Sequence, residues 1–377
     1  MENKISKSSA SKKISICIFR LSAIGDVCLM IPTVKAIQRS FPEAKLTWII
    51  SNPAYQLVKD LPGIKFIVIN KPRSLKDYLK LYRQLGDYRF DIVLATQASM
   101  RVNLLYPALK SARKIGFDKQ RARDLQWLFT NENIEFKNQH LLDSFLAFAA
   151  KIGATVPKKL PSEEMEWDIP LSDKDISEAN KILAVKNCKY HIAINPITSK
   201  AERNWGLNRY ATLIDTISSD YDCHIILTGG SDPKELTQIQ TIAGLCQNPN
   251  RITNCAGTLN LKQLAALLGQ VDCLISPDTA AVHIASAMKT DVIGLYAVAP
   301  AKLSGPYFSK RFTIDKFEIA IEKFLNTKSE NIQWKTRVHD PRAMQLIQVD
   351  DVLSKLSIIF DKDYSSSLNH RDNKTIR

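Results

Sequence analysis

Short apolar runs and helically spaced apolar residues alternate along this chain. In the first half the runs at Ile14–Phe19, Lys45–Ile50, Lys65–Ile69, Phe90–Ala95 and Lys114–Phe117 predict strands. Helical patterns lie between them, Leu75–Leu85 among them. After the first run, Val27, Met30, Ile31, Val34 and Ile37 share one helical face, and Pro32 is expected to kink that helix. The second half repeats the alternation. Strands are expected at His191–Asn195, His224–Thr228, Cys273–Ser276 and Val292–Tyr296, with a short one near Arg251–Asn254. Helices are expected at Arg209–Ile217, Pro233–Cys246, Leu261–Leu268 and Ala280–Met288. Such alternation predicts an α/β protein whose parallel sheets are covered on both faces. Two such halves predict two Rossmann-like domains facing across a cleft.

The proline-containing stretch 156–170 marks a change of composition between the halves. The expected division is a first domain over 14–160, a linker over 161–188 and a second domain over 189–355. Tails at 1–13 and 362–377 are expected to be disordered, the latter holding Ser365-Ser366-Ser367 among mixed charges. No run approaches the roughly 18 apolar residues of a membrane span, and the lysine-rich start does not read as a signal peptide. A cytoplasmic protein is expected. The seven cysteines are scattered without a CxxC pair and read as free, mostly buried thiols.

Charge sharpens the picture through its distribution. Residues 1–160 hold 27 basic and 12 acidic side chains, a net +15, whereas 161–377 carry 25 and 26, a net −1. Cations are dense between Arg101 and Arg123, including Arg113, Lys114, Lys119, Arg121 and Arg123. One reading is a solvated surface with a basic tail. The other is a first domain that meets an anion: a phosphorylated sugar, an anionic lipid or nucleic acid.

Four loops at carboxyl strand ends could carry chemistry, because that edge is where open α/β sheets bind ligands. In Arg20-Leu21-Ser22-Ala23-Ile24-Gly25-Asp26 a carboxylate follows a glycine at a strand-to-helix turn. Taken alone, Asp26 fits a helix-start role as well as that of a base. The loop Asn195–Gly206 offers Thr198, Ser199, Lys200 and Arg203 with Trp205, a set suited to phosphate oxygens or to an ordinary polar loop. Thr228-Gly229-Gly230 leads to Glu235, a candidate acceptor for ribose hydroxyls, although a tight turn explains the glycines equally well. Ser276-Pro277-Asp278-Thr279 opens a helix bearing His283, an arrangement suited to a diphosphate or to simple capping. G-x-G-x-x-G after the first strand, a P-loop, a D-x-D pair and a metal-ligand cluster are all missing from the sequence.

These motifs, in this order and at this spacing, resemble the lipopolysaccharide heptosyltransferases of glycosyltransferase family 9 over roughly residues 14–355. The carriers are Ser22–Asp26, Thr198-Ser199 through Arg203-Asn204-Trp205, Ser276–Thr279 through His283, and the closing run Met344–Leu353. The resemblance implies a GT-B fold, with the C-terminal segment packing back towards the first domain. It also implies inverting, metal-independent transfer of a heptose from ADP-heptose, without a cofactor, to a Kdo or heptose hydroxyl of the inner core. Asp26 would be the general base. Thr198, Ser199 and Arg203 would hold the phosphates, Asp278, Thr279 and His283 would line the diphosphate and sugar end, and Glu235 would meet the ribose. The acceptor would sit on the first domain, near Ser22, Gly25, Arg113, Lys119, Arg121 and Arg123.

An anionic lipid A–Kdo acceptor fits the +15 of that domain, as does peripheral attachment to the inner face of the cytoplasmic membrane. Nucleic acid is not expected as a partner. The run Gly116–Asp124 points to the first heptose, added to Kdo. The chain departs from the family where it has Ala23 for Ser, Arg203 for Lys, Gly206-Leu207 for Pro-Glu and Ala280 for Gly. A family enzyme with another activated sugar, and a non-enzymatic protein binding nucleic acid or membrane, are the competing readings.

Overall fold

The computed structural model describes residues 13–158, 165–328, 332–334 and 336–372, the side chains to Asp361. It contains two parallel six-stranded sheets. The first is built from β1 (Ser15–Phe19), β2 (Lys45–Ile50), β3 (Ile64–Val68), β4 (Arg89–Leu94), β5 (Lys110–Gly116) and β6 (Glu132–Asn133), in the order β3-β2-β1-β4-β5-β6. The second comprises β7 (Tyr190–Ile194), β8 (Cys223–Leu227), β9 (Ile252–Asn254), β10 (Cys273–Pro277), β11 (Asp291–Tyr296) and β12 (Ile314–Asp315), ordered β12-β11-β10-β7-β8-β9. Each order reverses between its first and fourth strands. That switch point leaves a crevice at the carboxyl edge of each sheet. The central strands are apolar on both faces because helices cover both, and every residue of β8 is buried.

Helix Ile24–Ser40 runs through Pro32 without interruption. Proline has no N–H, so the Cys28 carbonyl loses its intrahelical donor. The Trp167 indole N–H supplies one instead, at 2.8 Å. Trp167 lies in the expected linker, yet with Met165 and Ile169 it is buried in the core that covers the first sheet. Helix Asp173–Leu183 falls in the same stretch. The expected N-terminal tail lies outside the described residues, apart from Lys13.

The closing helix runs Val349–Asp372 and so passes Lys362, since no glycine or proline stops it. Its Val352, Leu356, Ile359 and Phe360 join the second domain's core, with Phe360 stacked on Tyr190 at 3.8 Å. Through these residues the helix packs on the second domain. Helix Leu141–Lys151 and the short strands β6 and β12 fall where no element was expected from sequence.

The halves meet along helices. Ile24–Ser40 packs on Ala280–Ala287, and Asp173–Leu183 packs on Leu261–Leu268. Polar contacts cross the same boundary. Lys262 pairs with Asp60, Tyr307 donates to Asp143 at 2.6 Å, and the Cys28 thiol donates to the His283 carbonyl at 3.4 Å. The seven cysteines are free thiols. Among the described residues no helix is long and apolar enough to cross a membrane.

Candidate active site

The first sheet's switch point lies between the ends of β1 and β4. Leaving β1, the backbone N–H groups of Leu21 and Ser22 donate to the Gln97 side chain at 2.8 and 3.3 Å, and the Gln97 amide reaches the Ser22 hydroxyl at 3.4 Å. Asp26 sits in the first turn of the following helix. Its Oδ2 accepts from the Ala23 N–H at 3.1 Å, the return half of a capping box, and pairs with Arg20. Arg20 also donates to the Thr96 carbonyl, which fixes the guanidinium beneath the carboxylate. Oδ1 has no hydrogen-bond partner among the described residues, and the Asp26 side chain is 25% exposed. The Asp26 carboxylate is thus oriented through one oxygen and left open through the other.

In the second sheet the switch point lies between β7 and β10. The Arg203 guanidinium, on the turn after β7, donates to Asp278 Oδ2 at 2.6 Å, and the Ser304 hydroxyl stands 3.5 Å from the same oxygen. Arg203 Nε is buried without a partner among the described residues. Thr279 is the cap residue of helix Ala280–Ala287, and its hydroxyl meets that of Ser276 at 2.9 Å. Ser199 is exposed at the loop tip. Thr198 folds its hydroxyl onto the Lys200 carbonyl at 2.6 Å. After β8, the Glu235 carboxylate accepts from the Gly230 N–H at 2.6 Å, so it is held over the paired glycines.

Gly25 and His283 bring the two switch points together. A β-carbon on Gly25 would lie 2.5 Å from His283 Cδ2, so only glycine lets the helices approach this closely. His283 is 5% exposed and sits inside the packing between the domains, with Nδ1 unpartnered among the described residues. Burial lowers its pKa, opposed by the charges of Asp278 and Asp26. His140, beside it, accepts from the Leu142 N–H through Nδ1 and so carries its proton on Nε2, which donates to the Gly305 carbonyl at 3.0 Å. Burial and the nearby His283 push its pKa down to about 3.

Not every expected acceptor residue reaches this cleft. Arg113 makes a two-pronged pair with Glu132 across β5 and β6, at 2.6 and 3.0 Å. Arg121 is 3% exposed, paired with Asp118, and donates to Ser144 at 2.8 Å, so it is a core cation that fastens its own loop. Lys119 is exposed with its ammonium over the Trp127 ring at 5.5 Å, and Arg123 is exposed.

The structure adds cations that the sequence reading had not assigned to the site. Lys71, after β3, lies in the field of Arg20, Arg101 and Asp26, and burial leads the neighbouring cations in lowering its pKa. A cavity of about 660 Å³ beside it is lined by Lys71, Arg73, Lys80 and Arg101 together with Asp77. Arg337 stands within electrostatic reach of Arg123, Arg203 and Asp278, and its pKa falls to about 10, from burial first and the two arginines next. The two residues that follow it pin the segment to the second domain. Val338 N–H donates to the Val298 carbonyl at 2.9 Å, and His339 Nδ1 lies 3.3 Å from Glu202. The Lys71-Pro72-Arg73 run was legible as a basic pair after a strand. Arg337 lies in an aperiodic stretch that gives no sequence signal. Among the described residues no group of His, Cys, Asp and Glu side chains gathers as a metal cluster would.

Two Rossmann-type sheets, with a carboxylate on one switch point and an arginine–aspartate pair with a helix start on the other, make up a GT-B fold. More narrowly, the chain belongs to glycosyltransferase family 9, the heptosyltransferases, whose model matches residues 78–331. It is 34% identical over 343 residues to the lipopolysaccharide core heptosyltransferase OpsX of Haemophilus influenzae, covering 91% of this chain and 96% of that protein. A family 9 glycosyl transferase from Veillonella parvula shares the fold, with a TM-score of 0.72 at 17% identity, covering 93% of this chain and 97% of the other. The Escherichia coli ADP-heptose lipopolysaccharide heptosyltransferase II does so with a TM-score of 0.67 at 14% identity, covering 93% and 100%.

Proposed function

We propose that the protein transfers a heptose from ADP-heptose, with inversion, to a Kdo hydroxyl of the lipopolysaccharide inner core, with Asp26 as general base. The observation that carries this reading is the Asp26 carboxylate. Arg20 and the Ala23 N–H hold Oδ2, and Oδ1 is left to accept a proton. An attacking hydroxyl must lose its proton as the glycosidic bond forms. A carboxylate oriented at one oxygen and free at the other suits that step. The names of the relatives, a lipopolysaccharide core heptosyltransferase and an ADP-heptose heptosyltransferase, support the donor and acceptor classes.

Departure of ADP develops negative charge on the diphosphate. Arg203, Arg337 and the start of helix Ala280–Ala287 would stabilise it, with Ser199 and Thr198 N-terminal to them. Glu235, held over Gly229-Gly230, would receive ribose hydroxyls. The cavity lined by Lys71, Arg73 and Arg101, whose Lys71 lies in the field of Asp26, suits the carboxylates of Kdo and the phosphates of lipid A. The reading invokes no metal step. A lipid-borne acceptor implies work at the inner face of the cytoplasmic membrane.

The test is mass spectrometry of heptose-free Kdo–lipid A after incubation with the enzyme and ADP-heptose. A gain of one heptosyl group supports the reading. A gain only on already heptosylated core would move the acceptor from Kdo to heptose. A gain only with another nucleotide sugar would overturn the donor.

A further inference from the structure

Helix Leu75–Gly86 has a wider apolar arc than the fold uses. Leu81 and Leu85 are buried against the sheet. Leu75, Leu79 and Tyr82, at the i, i+4 and i+7 positions beside them, are turned outward, and the two leucines are 83% and 64% exposed. Lys76, Lys80 and Arg83 continue the same helical surface beyond the leucines. An apolar stripe edged by cations is the pattern of a helix that lies in a membrane interface.

Hydrogen bonds join this helix to two further exposed segments. Tyr78 donates to the Arg101 carbonyl at 2.9 Å and Tyr82 to the Leu104 carbonyl at 2.6 Å. Met100 N–H in turn donates to Asp124 Oδ2 at 2.8 Å, which draws in the loop that follows. Met100, Leu104, Leu125, Trp127 and Leu128 are all exposed along that line. Lys119 stands over the Trp127 ring, an amphipathic ring paired with a long cation, as residues at a headgroup level often are. The cation-lined cavity opens against the same helix, with Lys80, Leu81 and Gln84 forming one wall.

We propose that the surface made by helix Leu75–Gly86, the Met100–Leu104 turn and the Leu125–Leu128 turn seats the protein on an anionic phospholipid bilayer. Charge complementarity favours this occupant, because Lys76, Lys80, Arg83, Arg101 and Lys119 border the apolar residues within a first half of net +15. Scattered leucines on a surface are ordinary. A run of exposed leucine, methionine and tryptophan framed by lysines, at the mouth of a cavity suited to anionic headgroups, is not. The proposal extends the reading of a lipid-borne acceptor. An acceptor whose sugar end lay in the cavity would keep its acyl chains in the bilayer beneath the exposed leucines.

The experiment is vesicle co-sedimentation of the full-length chain. Phosphatidylcholine vesicles are compared with phosphatidylcholine–phosphatidylglycerol vesicles, for wild type and for Leu75→Ser/Leu79→Ser. Both leucines are exposed, so the variant should keep the wild-type melting temperature. It should also keep wild-type turnover on a water-soluble acceptor lacking acyl chains. We expect wild type to bind the anionic vesicles at least about tenfold more tightly than the neutral ones, with salt weakening the binding. The variant should lose at least about tenfold of that affinity. Binding of both lipids alike, or full retention of binding by the variant, would overturn the proposal. Leucine-dependent capture of a protein, or binding of nucleic acid in place of vesicles, would do the same. Failure of heptosyl transfer to the soluble acceptor would count against the function above and leave the vesicle result to be read independently.

Discussion

Replacing Gly25 by alanine should disturb the site through packing alone. The new β-carbon would sit 2.5 Å from His283 Cδ2, 3.3 Å from Nε2 and 3.4 Å from the Ala280 α-carbon. Carbon atoms prefer separations of about 3.5–4.0 Å, so roughly 1 Å of relief is needed. The imidazole cannot swing away, because it is 5% exposed inside the packing between the domains. The relief must come from parting helices Ile24–Ser40 and Ala280–Ala287. Overpacking of this kind costs about 1–3 kcal/mol. The same movement separates Asp26 from the donor side, and a displacement of about 1 Å can lower a rate by about 100-fold. Thermal unfolding and turnover of Gly25→Ala, His283→Ala and the double variant test the reasoning. Gly25→Ala should melt lower and turn over at least about tenfold more slowly. The double variant should recover part of the melting temperature lost by Gly25→Ala, since the methyl then enters the space left by the ring. Wild-type turnover in Gly25→Ala, or strictly additive losses, would refute the contact.

Further expectations follow from individual contacts. Arg121→Met leaves the buried Asp118 carboxylate unpaired and should cost about 3–5 kcal/mol in denaturant unfolding, with acceptor KM little changed. Arg113→Met, at a half-exposed pair, should cost less than about 1 kcal/mol. Arg337→Met should weaken ADP binding by about tenfold or more in calorimetry; unchanged affinity in the folded variant would remove Arg337 from the donor site. His140 is held neutral down to about 3, whereas an unfolded histidine protonates near 6.5. The unfolded chain therefore binds the extra proton first. Stability from this group is complete above pH 6.5 and is lost as pH falls from 6.5 towards 3, by up to about 5 kcal/mol. His140→Asn, which keeps a capping side chain, should flatten that slope in unfolding curves between pH 4 and pH 7, a range that takes in most of the window.

Much of the scaffold was legible because buried parallel strands read as apolar runs. The Lys45–Ile50 strand and the Leu261–Leu268 helix have the expected ends. Strands β6 and β12 escaped because two residues make no pattern. The stretch read as the linker carries order that its prolines do not announce: Trp167 in it supplies the hydrogen bond that Pro32 removes from the helix. For the site, the loop after each switch-point strand was identifiable from residue type and position. Which cations face the cleft was not. Arg113 and Arg121 are taken by Glu132 and Asp118, partners fixed by strand register and by a tight turn. Arg337 comes from more than 100 residues beyond Arg203 and has no local pattern to announce it.

The central claim is that Asp26 accepts the proton of the attacking hydroxyl. The direct measurement is acceptor-dependent ADP release by wild type and Asp26→Asn under saturating ADP-heptose and Kdo–lipid A, with ADP affinity measured alongside. Asparagine keeps the shape and the Ala23 contact but cannot take a proton. The account predicts a loss of at least about 100-fold in turnover, with ADP affinity within a few-fold of wild type. Near-normal turnover in Asp26→Asn would contradict it.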